Sequence, residues 1–347
     1  MVYGLLASLF FSSTFVLNQT MKWSGGDWLY TASLRFLFMI PLLLAAVAMR
    51  RKWTPLWAEM RKRPWAWAGW SFIGFGVMYA PVCFAAEYEP GWLIAGTWQT
   101  TIVAGVLVAP VFSNVRFTPA GPVKVRERIQ WKGLGLSVII LLGVFIMQFS
   151  QARTLSVRDL LLGAVPVIVA AFAYPLGNRK MMDICEGRLD AYQRVLGMAL
   201  ATLPLWLLLA AIAFWRSGPP SADQAGQALS VAVCSGVIAT VLFFTATDMA
   251  KGSPHRLAAV EATQAGEVVF ATIGELLLLP VPRPSAVSMI GMGLVIGGMV
   301  LHSLLSRKKM PLREGAPLQD RSMPILLQLT PQNHLICLRI SRNGKIG

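Results

Sequence analysis

The sequence has little charge, and acidic side chains are especially rare. Only 14% of its 347 residues are charged, with 16 Asp and Glu against 31 Lys and Arg, while 55% are apolar. A soluble globular domain carries roughly 25% charged residues. These proportions exclude an ordinary soluble enzyme or binding domain and indicate an integral membrane protein.

Cysteine and histidine are also scarce. The four cysteines (Cys83, Cys185, Cys234 and Cys337) are scattered without a CxxC pair, and the three histidines are dispersed. This spacing favours packing thiols over a disulfide framework or a metal site. HExxH, GxSxG and DxD-like clusters are missing, which weakens the alternative of a polytopic membrane enzyme. We therefore expect no catalytic residues, no metal and no cofactor.

Long apolar runs make up most of the chain. There are ten of them, and a run of about 20 apolar residues crosses a bilayer as a helix. The first run has no basic segment before it and is predicted to be a retained span, not a signal peptide. The runs lie near residues 2–21, 28–48, 67–86, 92–112, 133–150, 159–177, 195–215, 229–249, 257–279 and 286–305.

Basic residues are unevenly distributed among the loops between these runs. Alternate loops carry 16 Lys and Arg on one side and five on the other. The positive-inside rule then predicts that both termini are cytoplasmic, in a bacterial-type plasma (inner) membrane. The same bias accounts for the net charge of +15, so we expect no nucleic-acid partner.

The two halves of the chain repeat each other weakly. The segment at residues 11–18 aligns with that at 171–178, Trp98-Gln99 aligns with Thr263-Gln264, and further matches fall at similar offsets. Each half has five runs, an odd number, so the second half is inverted in the membrane. Inverted repeats are typical of secondary transporters, which bind substrate near the midplane between the halves.

The predicted fold is therefore an all-α integral membrane protein with ten transmembrane helices in two inverted five-helix repeats. The first repeat covers residues 1–150 and the second covers residues 151–306. Residues 307–347 are polar, basic and rich in proline, and they are predicted to form a mostly disordered cytoplasmic tail.

The ninth run contains four polar side chains: Glu261, Gln264, Glu267 and Glu275. Carboxylates persist in a bilayer where they face a bundle interior or a wet cavity. On a continuous helix Glu261 and Glu275 share one face, with Gln264 at its edge, whereas Glu267 lies roughly 120° from Glu261. Glu267 falls near the midplane, where burial favours its neutral form. It is either a hydrogen-bonded structural acid or a site for a proton or a cationic substrate.

Two arginines are also close to apolar residues: Arg35 lies inside the second run, and Arg194 lies at the edge of the seventh. Arg35 lies roughly 10 Å from the outer end of the second run, and Arg194 lies near the inner end of the seventh. An arginine at such depth needs an anion or carbonyl groups. We expect both to act as helix clamps, with contact between Arg35 and an anionic substrate as the alternative. Carboxylates at matching depth are Glu275 and Glu87 on the outer side and Asp248 and Glu261 on the inner side.

Amides and aromatic rings complete the set of site candidates. Asn18, Trp98, Gln99 and Tyr174 lie within apolar runs and are candidate residues of a substrate or coupling-ion site. An aromatic cavity with a nearby carboxylate suits cations. The expected substrates are small organic molecules, either amphipathic cations or metabolites.

Four segments resemble the ten-span branch of the drug/metabolite transporter superfamily, and more narrowly the multidrug resistance efflux transporter family. They are FSSTFVLN, ASLRF, EATQAGEVVFATIGE and GMGLVIGGMVL, and the resemblance covers roughly residues 1–306. It implies ten helices in two inverted halves and export driven by an ion gradient. The first half has Ala109 and Pro110 where the second has Glu275. Span 1 has residues 12–14 (Ser-Ser-Thr) where four-span relatives have a glutamate, so the resemblance does not itself supply a coupling residue.

The predicted function is secondary active export of small organic molecules by alternating access around a midplane cavity, with a proton gradient as the expected driving force. A polytopic membrane enzyme and a non-transporting receptor or scaffold are the alternatives. A scaffold has no use for two access states, so the inverted repeat argues against it. The expected partners are a small-molecule substrate and the lipid bilayer, and both a monomer and a homodimer fit the sequence.

Overall fold

The fold was described from a computed structural model, which defines residues 2–118, 121–126, 129, 131–152, 155–250, 254–280 and 283–307. The predicted tail, beyond the end of the last helix at Arg307, lies outside the described residues. The helices are α1 (Val2–Trp23), α2 (Trp28–Met49), α3 (Trp53–Lys62), α4 (Pro64–Ser71), α5 (Met78–Ala85), α6 (Gly91–Trp98), α7 (Thr100–Leu107), α8 (Trp131–Gln151), α9 (Val157–Cys185), α10 (Ala191–Ala201), α11 (Leu203–Ser217), α12 (Ala222–Val231), α13 (Thr240–Met249), α14 (Pro254–Ala262), α15 (Ala265–Leu278) and α16 (Ala286–Arg307).

Three further helical segments and one hairpin complete the described chain. Segment π1 (Phe72–Val77) joins α4 to α5, segment π2 (Ala232–Ala239) joins α12 to α13, and a short 3₁₀ turn covers Ala109–Val111. Strands β1 (Ser113–Thr118) and β2 (Gly121–Arg126) pair antiparallel, from Ser113 with Arg126 to Thr118 with Gly121. The hairpin lies in a connection that the apolar pattern left without structure.

Among the described residues, five helical units are long and apolar enough to cross a membrane: α1, α2, Pro64–Ala85, α9 and Ala222–Met249. The pair α10 and α11, bent by 50°, makes a sixth if it forms one span. The prediction of a helical integral membrane protein is thus confirmed in this form. Of the other apolar runs, two form α8 and α16, which have shorter apolar parts (Ser137–Gln151 and Ala286–Leu301) among the described residues, and two are interrupted.

Local sequence explains where several helices begin. Asp27 accepts a hydrogen bond from the backbone N–H of Leu29 at the start of α2, and Ser156 accepts one from that of Asp159 at the start of α9. Before α10, Asp190 and Gln193 form a capping box in which each side chain binds the other's backbone N–H. These caps satisfy amide groups that have no partner within a helix.

Two apolar runs predicted to be single helices are interrupted near their middle. The chain turns at Gln99 between α6 and α7, where the Gln99 N–H donates to the Gly96 carbonyl at 3.1 Å. It turns again between α14 and α15, where the Thr263 N–H donates to the Val260 carbonyl at 3.1 Å. Both are tighter, three-residue hydrogen bonds. The assumption of a continuous ninth helix was therefore wrong, and the angular arrangement derived from it does not hold across Gln264.

Helix α9 packs against α4, π1, α5, α6 and α7, while α8 packs along α16. Glycine permits the closest approach: a Cβ atom on Gly177 of α9 would lie 2.3 Å from the Cα of Gly74 in π1. Large apolar side chains such as Phe145 and Leu208 are exposed on the outside of the bundle. An apolar exterior of this kind is suited to lipid.

Candidate functional site

A cleft containing about 560 Å³ of space, part of it open to solvent, lies between α6–α7, α9, α13 and α14–α15. Three aromatic rings line it, from Trp98, Tyr174 and Phe243. Tyr174 stands between the other two, with ring centroids 5.6 Å from Trp98 and 5.9 Å from Phe243. Its polar lining includes Gln99, Asn178, Arg179 and Gln264. We call this space the central cavity.

The interruptions at Gln99 and Gln264 lie at the central cavity, whereas the bend between α10 and α11 does not contribute to its lining. Gln99, between α6 and α7, and Gln264, between α14 and α15, belong to its lining. Half-helices α7 and α15 therefore both begin beside it. The N-terminus of a helix carries a partial positive charge, and in membrane transporters interrupted helices of this type surround the substrate site.

The central cavity lies toward one end of the bundle, which we call the basic face. This end is defined by the connection at 50–52 and the loop at 186–190, which Arg50 and Lys52 join through ion pairs with Asp190 at 3.5 and 2.8 Å. Arg179 lies in the last turns of α9, and Thr247 lies in the last turn of α13. The cavity therefore extends from mid-bundle toward the basic face.

The opposite end of the bundle is closed by hydrogen bonds between helices. Glu275 on α15 is fully buried, and its carboxylate accepts bonds from the backbone N–H groups of Gly91 and Trp92, each at 2.7 Å. It thereby caps the N-terminus of α6 from a neighbouring helix, where a negative charge is favourable. Gln19 on α1 adds bonds to the carbonyls of Ala86 and Glu89.

Arg194 forms the ion pair predicted for the inner end of the seventh run. Its Nη1 lies 2.7 Å from Oδ1 of Asp248, and its side chain is only 3% exposed. The guanidinium also lies 4.5 Å from the ring centroid of Phe244. The contact between Arg194 and Asp248 is therefore confirmed.

The corresponding prediction for Arg35 was wrong. No carboxylate among the described residues pairs with Arg35; its Nη2 donates to Oγ of Ser235 at 3.0 Å, and its guanidinium lies 4.1 Å from the ring centroid of Tyr79. Segment π2 brings Ser235 against α2, and Glu275 is already engaged by two backbone N–H groups of α6. Glu87 lies in the turn after α5 and interacts with Lys22.

The model of the EmrE family, described as "Putative multidrug resistance efflux transporter", matches residues 1–308. The chain belongs to the EmrE family. The resemblance noted in the sequence is thereby confirmed. Membership supports small-molecule efflux over enzymatic activity. It also supports a lipid bilayer as the surroundings of the chain.

Two curated relatives are similar over most of the chain. "Uncharacterized protein YjlA" of Bacillus subtilis (strain 168) is 56% identical over 310 residues, covering 89% of this chain and 96% of the relative. "Uncharacterized 42.1 kDa protein in intracellular alkaline protease 3'region" of Shouchella clausii is 49% identical over 267 residues, covering 77% and 69%. A protein of known crystal structure, 18% identical, matches with a TM-score of 0.60 over 88% of this chain and 96% of its own, which supports the fold alone.

In this EmrE-family chain the central cavity brings together four of the predicted site residues: Trp98, Gln99, Tyr174 and Gln264. Asn18 lies elsewhere, where it donates to the sulfur of Cys83 at 3.6 Å and accepts from the hydroxyl of Tyr79 at 3.4 Å. The sequence could place these groups at similar depth. It could not tell which helix faces would meet.

Glu267 is 1% exposed and lies in the first turn of α15, which packs against α1 and α6. Its Oε1 has no hydrogen-bond partner among the described residues. Its backbone N–H donates to the carbonyl of Gln264 at 2.9 Å. Glu267 therefore follows, by about one turn, a residue that lines the central cavity. The side chain of Glu261 lies outside the described residues, although its backbone belongs to α14.

The structure adds cavity residues that the sequence argument did not select. Asn178, Arg179 and Phe243 line the central cavity. Asn178 belongs to the segment 171–178 that carries the internal repeat, so a signal was present. Arg179 was counted only as a loop charge, because it follows the apolar run directly.

Glu89 was also missed, and it is fully buried in the turn between α5 and α6. Its Oε2 accepts a hydrogen bond from Gln148 at 3.2 Å, and Gln148 also donates to Thr97 at 2.8 Å. Burial raises the pKa of Glu89 to about 8, against the opposing effect of the bond from Gln148. Nothing in a short turn between two apolar runs indicates such burial.

Proposed function

We propose that this chain is a secondary active transporter that exports small organic molecules across the plasma membrane by alternating access. The carrying observation is an asymmetry between the two ends of the bundle. The central cavity reaches toward the basic face, while Glu275 joins α15 to α6 at the opposite end. In this conformation the central cavity therefore extends toward the basic face, which fits one of the two access states of an alternating-access transporter.

The proposed architecture is ten spans in two inverted five-helix repeats. Six of these spans are the five long helical units and the bent pair α10–α11. The pairs α6–α7 and α14–α15 each form one interrupted span, and α8 and α16 are the last spans of the two repeats. Irregularities at matching positions support this arrangement. The turns at Gln99 and Gln264 are 165 residues apart, and π1 and π2 begin at Phe72 and Ala232, 160 residues apart.

The asymmetry between the ends follows from the sequences of the two repeats. The second repeat has Glu275, which caps a half-helix of the first. The first repeat has Ala109 and Pro110 at the equivalent positions and offers no carboxylate in return. The resting conformation is therefore expected to be the one in which the basic face is open.

We assign the basic face to the cytoplasm, because the loops there carry most of the lysine and arginine. The central cavity then opens to the cytoplasm, where an exporter binds its substrate. A membrane-impermeant maleimide applied to whole cells should label a cysteine at position 87 and should not label one at position 62. The reverse pattern would place the cavity on the outside.

Glu267 is the carboxyl group that we assign to proton coupling. It is buried, unlike a surface acid, and its backbone is bonded to Gln264 at the cavity. The buried arginines cannot take this role, because a guanidinium stays protonated at accessible pH. A rearrangement at the interrupted span could move Glu267 between a dry and a wet environment.

Transport in everted membrane vesicles tests the proposal. Uptake of a panel of fluorescent organic compounds should exceed that of vesicles without the protein and should depend on an imposed pH gradient. Trp98→Ala and Tyr174→Ala should reduce uptake, because both rings line the central cavity. Phe145→Ala is the matched control, since this ring is 62% exposed on the outside of α8. Equal uptake by all three variants would show that the rings of the central cavity are not needed for transport.

A further inference from the structure

Arg35 carries a buried positive charge that no carboxylate among the described residues neutralises. Its side chain is 4% exposed, and a guanidinium has five N–H donors. Nη2 donates to Oγ of Ser235, and the ring of Tyr79 lies against the guanidinium. Nε has no hydrogen-bond partner among the described residues. A charged side chain at membrane depth is costly and is typically retained for a function.

Comparison with Arg194 shows how the chain neutralises the charge of another buried arginine, although Nε and Nη2 of Arg194 also have no hydrogen-bond partner among the described residues. Arg194 has the same position in the second repeat, 159 residues later, and it pairs with Asp248 at 2.7 Å. Both arginines lie against an aromatic ring, Tyr79 for Arg35 and Phe244 for Arg194. The difference is the anion: Arg194 pairs with Asp248, whereas Arg35 has no carboxylate partner in the part of the chain that the structure describes.

The groups around Arg35 suit an oxyanion. Oγ1 of Thr14 donates to Oγ of Ser235 at 2.5 Å, and the same oxygen accepts from Arg35. Because Ser235 accepts from both neighbours, its own hydroxyl proton is available to an incoming acceptor. A guanidinium with an adjacent hydroxyl donor matches the geometry of a carboxylate or a phosphate. We call Thr14, Arg35, Tyr79 and Ser235 the Arg35 cluster.

One aromatic layer separates the Arg35 cluster from the central cavity. Phe243 lines the cavity, and its ring centroid lies 6.0 Å from that of Phe11 on α1. Thr14 follows Phe11 by one turn on α1, and Ser235 precedes Phe243 by about two turns on the adjoining span. Both helices therefore place the Arg35 cluster beyond Phe11 and Phe243, on the side away from the basic face.

From these positions we infer that Arg35 binds an oxyanion group of the transported molecule, so that the substrates are organic anions with a carboxylate or phosphate on an apolar or aromatic body. This inference rests on the proposed transport function. The substrate enters the central cavity, where Arg179 supplies a second positive charge. Its oxyanion reaches Arg35 when the rings of Phe11 and Phe243 move apart. Segment π2, which carries Ser235, is a type of irregularity often found at functional sites.

Ligand-induced thermal stabilisation of the purified full-length protein in detergent tests binding directly. The probes are phenylacetate, its neutral analogue phenylacetamide, phenyl phosphate and inorganic phosphate, each at millimolar concentration. A bound ligand raises the melting temperature of the wild type by mass action. We expect stabilisation by phenylacetate or phenyl phosphate and none by phenylacetamide. The two anions distinguish a carboxylate site from a phosphate site, and inorganic phosphate shows whether the apolar body is required.

Substitutions then assign the effect to Arg35. Arg35→Gln should abolish stabilisation, and Arg35→Lys, which keeps the charge and loses the planar fork, should weaken the apparent affinity about tenfold. Arg188→Gln is the control, because it removes a guanidinium at the surface. Should Arg35→Gln fail to fold, Arg35→Lys and Ser235→Ala carry the test.

The same variants in everted vesicles separate this inference from the transport proposal. Uptake of phenylacetate or phenyl phosphate that falls in Arg35→Lys and persists in Arg188→Gln supports both. Transport of organic cations, with no anion binding by the wild type, overturns the oxyanion site and leaves the transporter standing. Absence of any transport, together with Arg35-dependent binding of an anion, overturns the transport proposal alone.

Discussion

The carboxylate of Glu275 lies 2.7 Å from the backbone nitrogen of Trp92, so a side chain on α15 caps the start of α6. A second bond from the same carboxylate reaches the backbone nitrogen of Gly91, also at 2.7 Å. Hydrogen bonds from backbone amides to a buried charge contribute about 1.5–3 kcal/mol each. Two such bonds therefore join α15 to α6 at the end facing away from the basic face.

Removal of this connection should open that end of the bundle. We expect Glu275→Ala to make Cys83, which is buried in the adjoining half of the bundle, accessible to a membrane-impermeant maleimide from outside the cell. The measurement uses a background in which the other three cysteines are replaced by serine. Glu87→Gln is the control, because it removes a carboxylate from the same end without removing the cap. Unchanged labelling in Glu275→Ala would show that other contacts hold this end closed.

The ion pair between Arg194 and Asp248 should be essential for stability. Loss of one partner of a buried pair costs about 3–5 kcal/mol, and we expect a value near 3 because the Asp248 side chain is 33% exposed. Asp248→Asn should destabilise more than Asp248→Asn combined with Arg194→Met, since the double variant leaves no uncompensated charge. Thermal unfolding in detergent across the four-member cycle measures the coupling. Additive effects would mean that the two side chains act independently.

Close packing between α9 and π1 gives a separate prediction. A methyl group on Gly177 would lie 2.3 Å from the Cα of Gly74, whereas one on Gly293 of α16 would meet nothing within 4 Å. Gly177→Ala should therefore destabilise the protein by about 1–3 kcal/mol through overpacking. Gly293→Ala should be neutral or slightly stabilising. Similar melting temperatures for the two variants would contradict the close approach of these segments.

Depth along an apolar run was enough to predict some contacts from the sequence. Arg194 and Asp248 were matched by depth, and they pair. The same argument failed for Arg35, because Ser235 meets it from π2, an irregular segment that apolar composition does not reveal. It failed for Glu275 because the free amide groups of α6 exist only where a helix begins inside the protein. Neither the irregular segment π2 nor the buried start of α6 at Gly91 changes the apolar pattern, so those sites required the structure.

Glu89 should make stability depend on pH. Burial raises its pKa to about 8 in the folded protein, against about 4.3 in an unfolded chain. Between these values the folded protein retains a proton that the unfolded chain has released. The free energy of unfolding should therefore fall as pH rises from about 4 to about 8 and level off above that. Glu89→Gln should flatten this part of the melting-temperature profile, whereas Glu186→Gln, at an exposed position, should follow the wild type. A wild-type slope in Glu89→Gln would assign the effect to another group.

Glu267 provides the sharpest test of proton coupling. Its side chain is 1% exposed, and Oε1 has no hydrogen-bond partner among the described residues. Glutamine has nearly the same shape and cannot ionise, so Glu267→Gln imitates a permanently protonated carboxyl group. We expect the variant to reach the membrane and fold at wild-type yield while losing uptake driven by a pH gradient in everted vesicles.

Exchange of labelled for unlabelled substrate without a gradient should continue in Glu267→Gln, because that reaction needs movement of the cavity and no net proton transfer. Thr272→Val, which removes a buried hydroxyl from the same helix, is the control for local disturbance. Wild-type uptake with unchanged pH dependence in Glu267→Gln would make this glutamate structural. The coupling role would then pass to Glu261, Glu275 or Asp248.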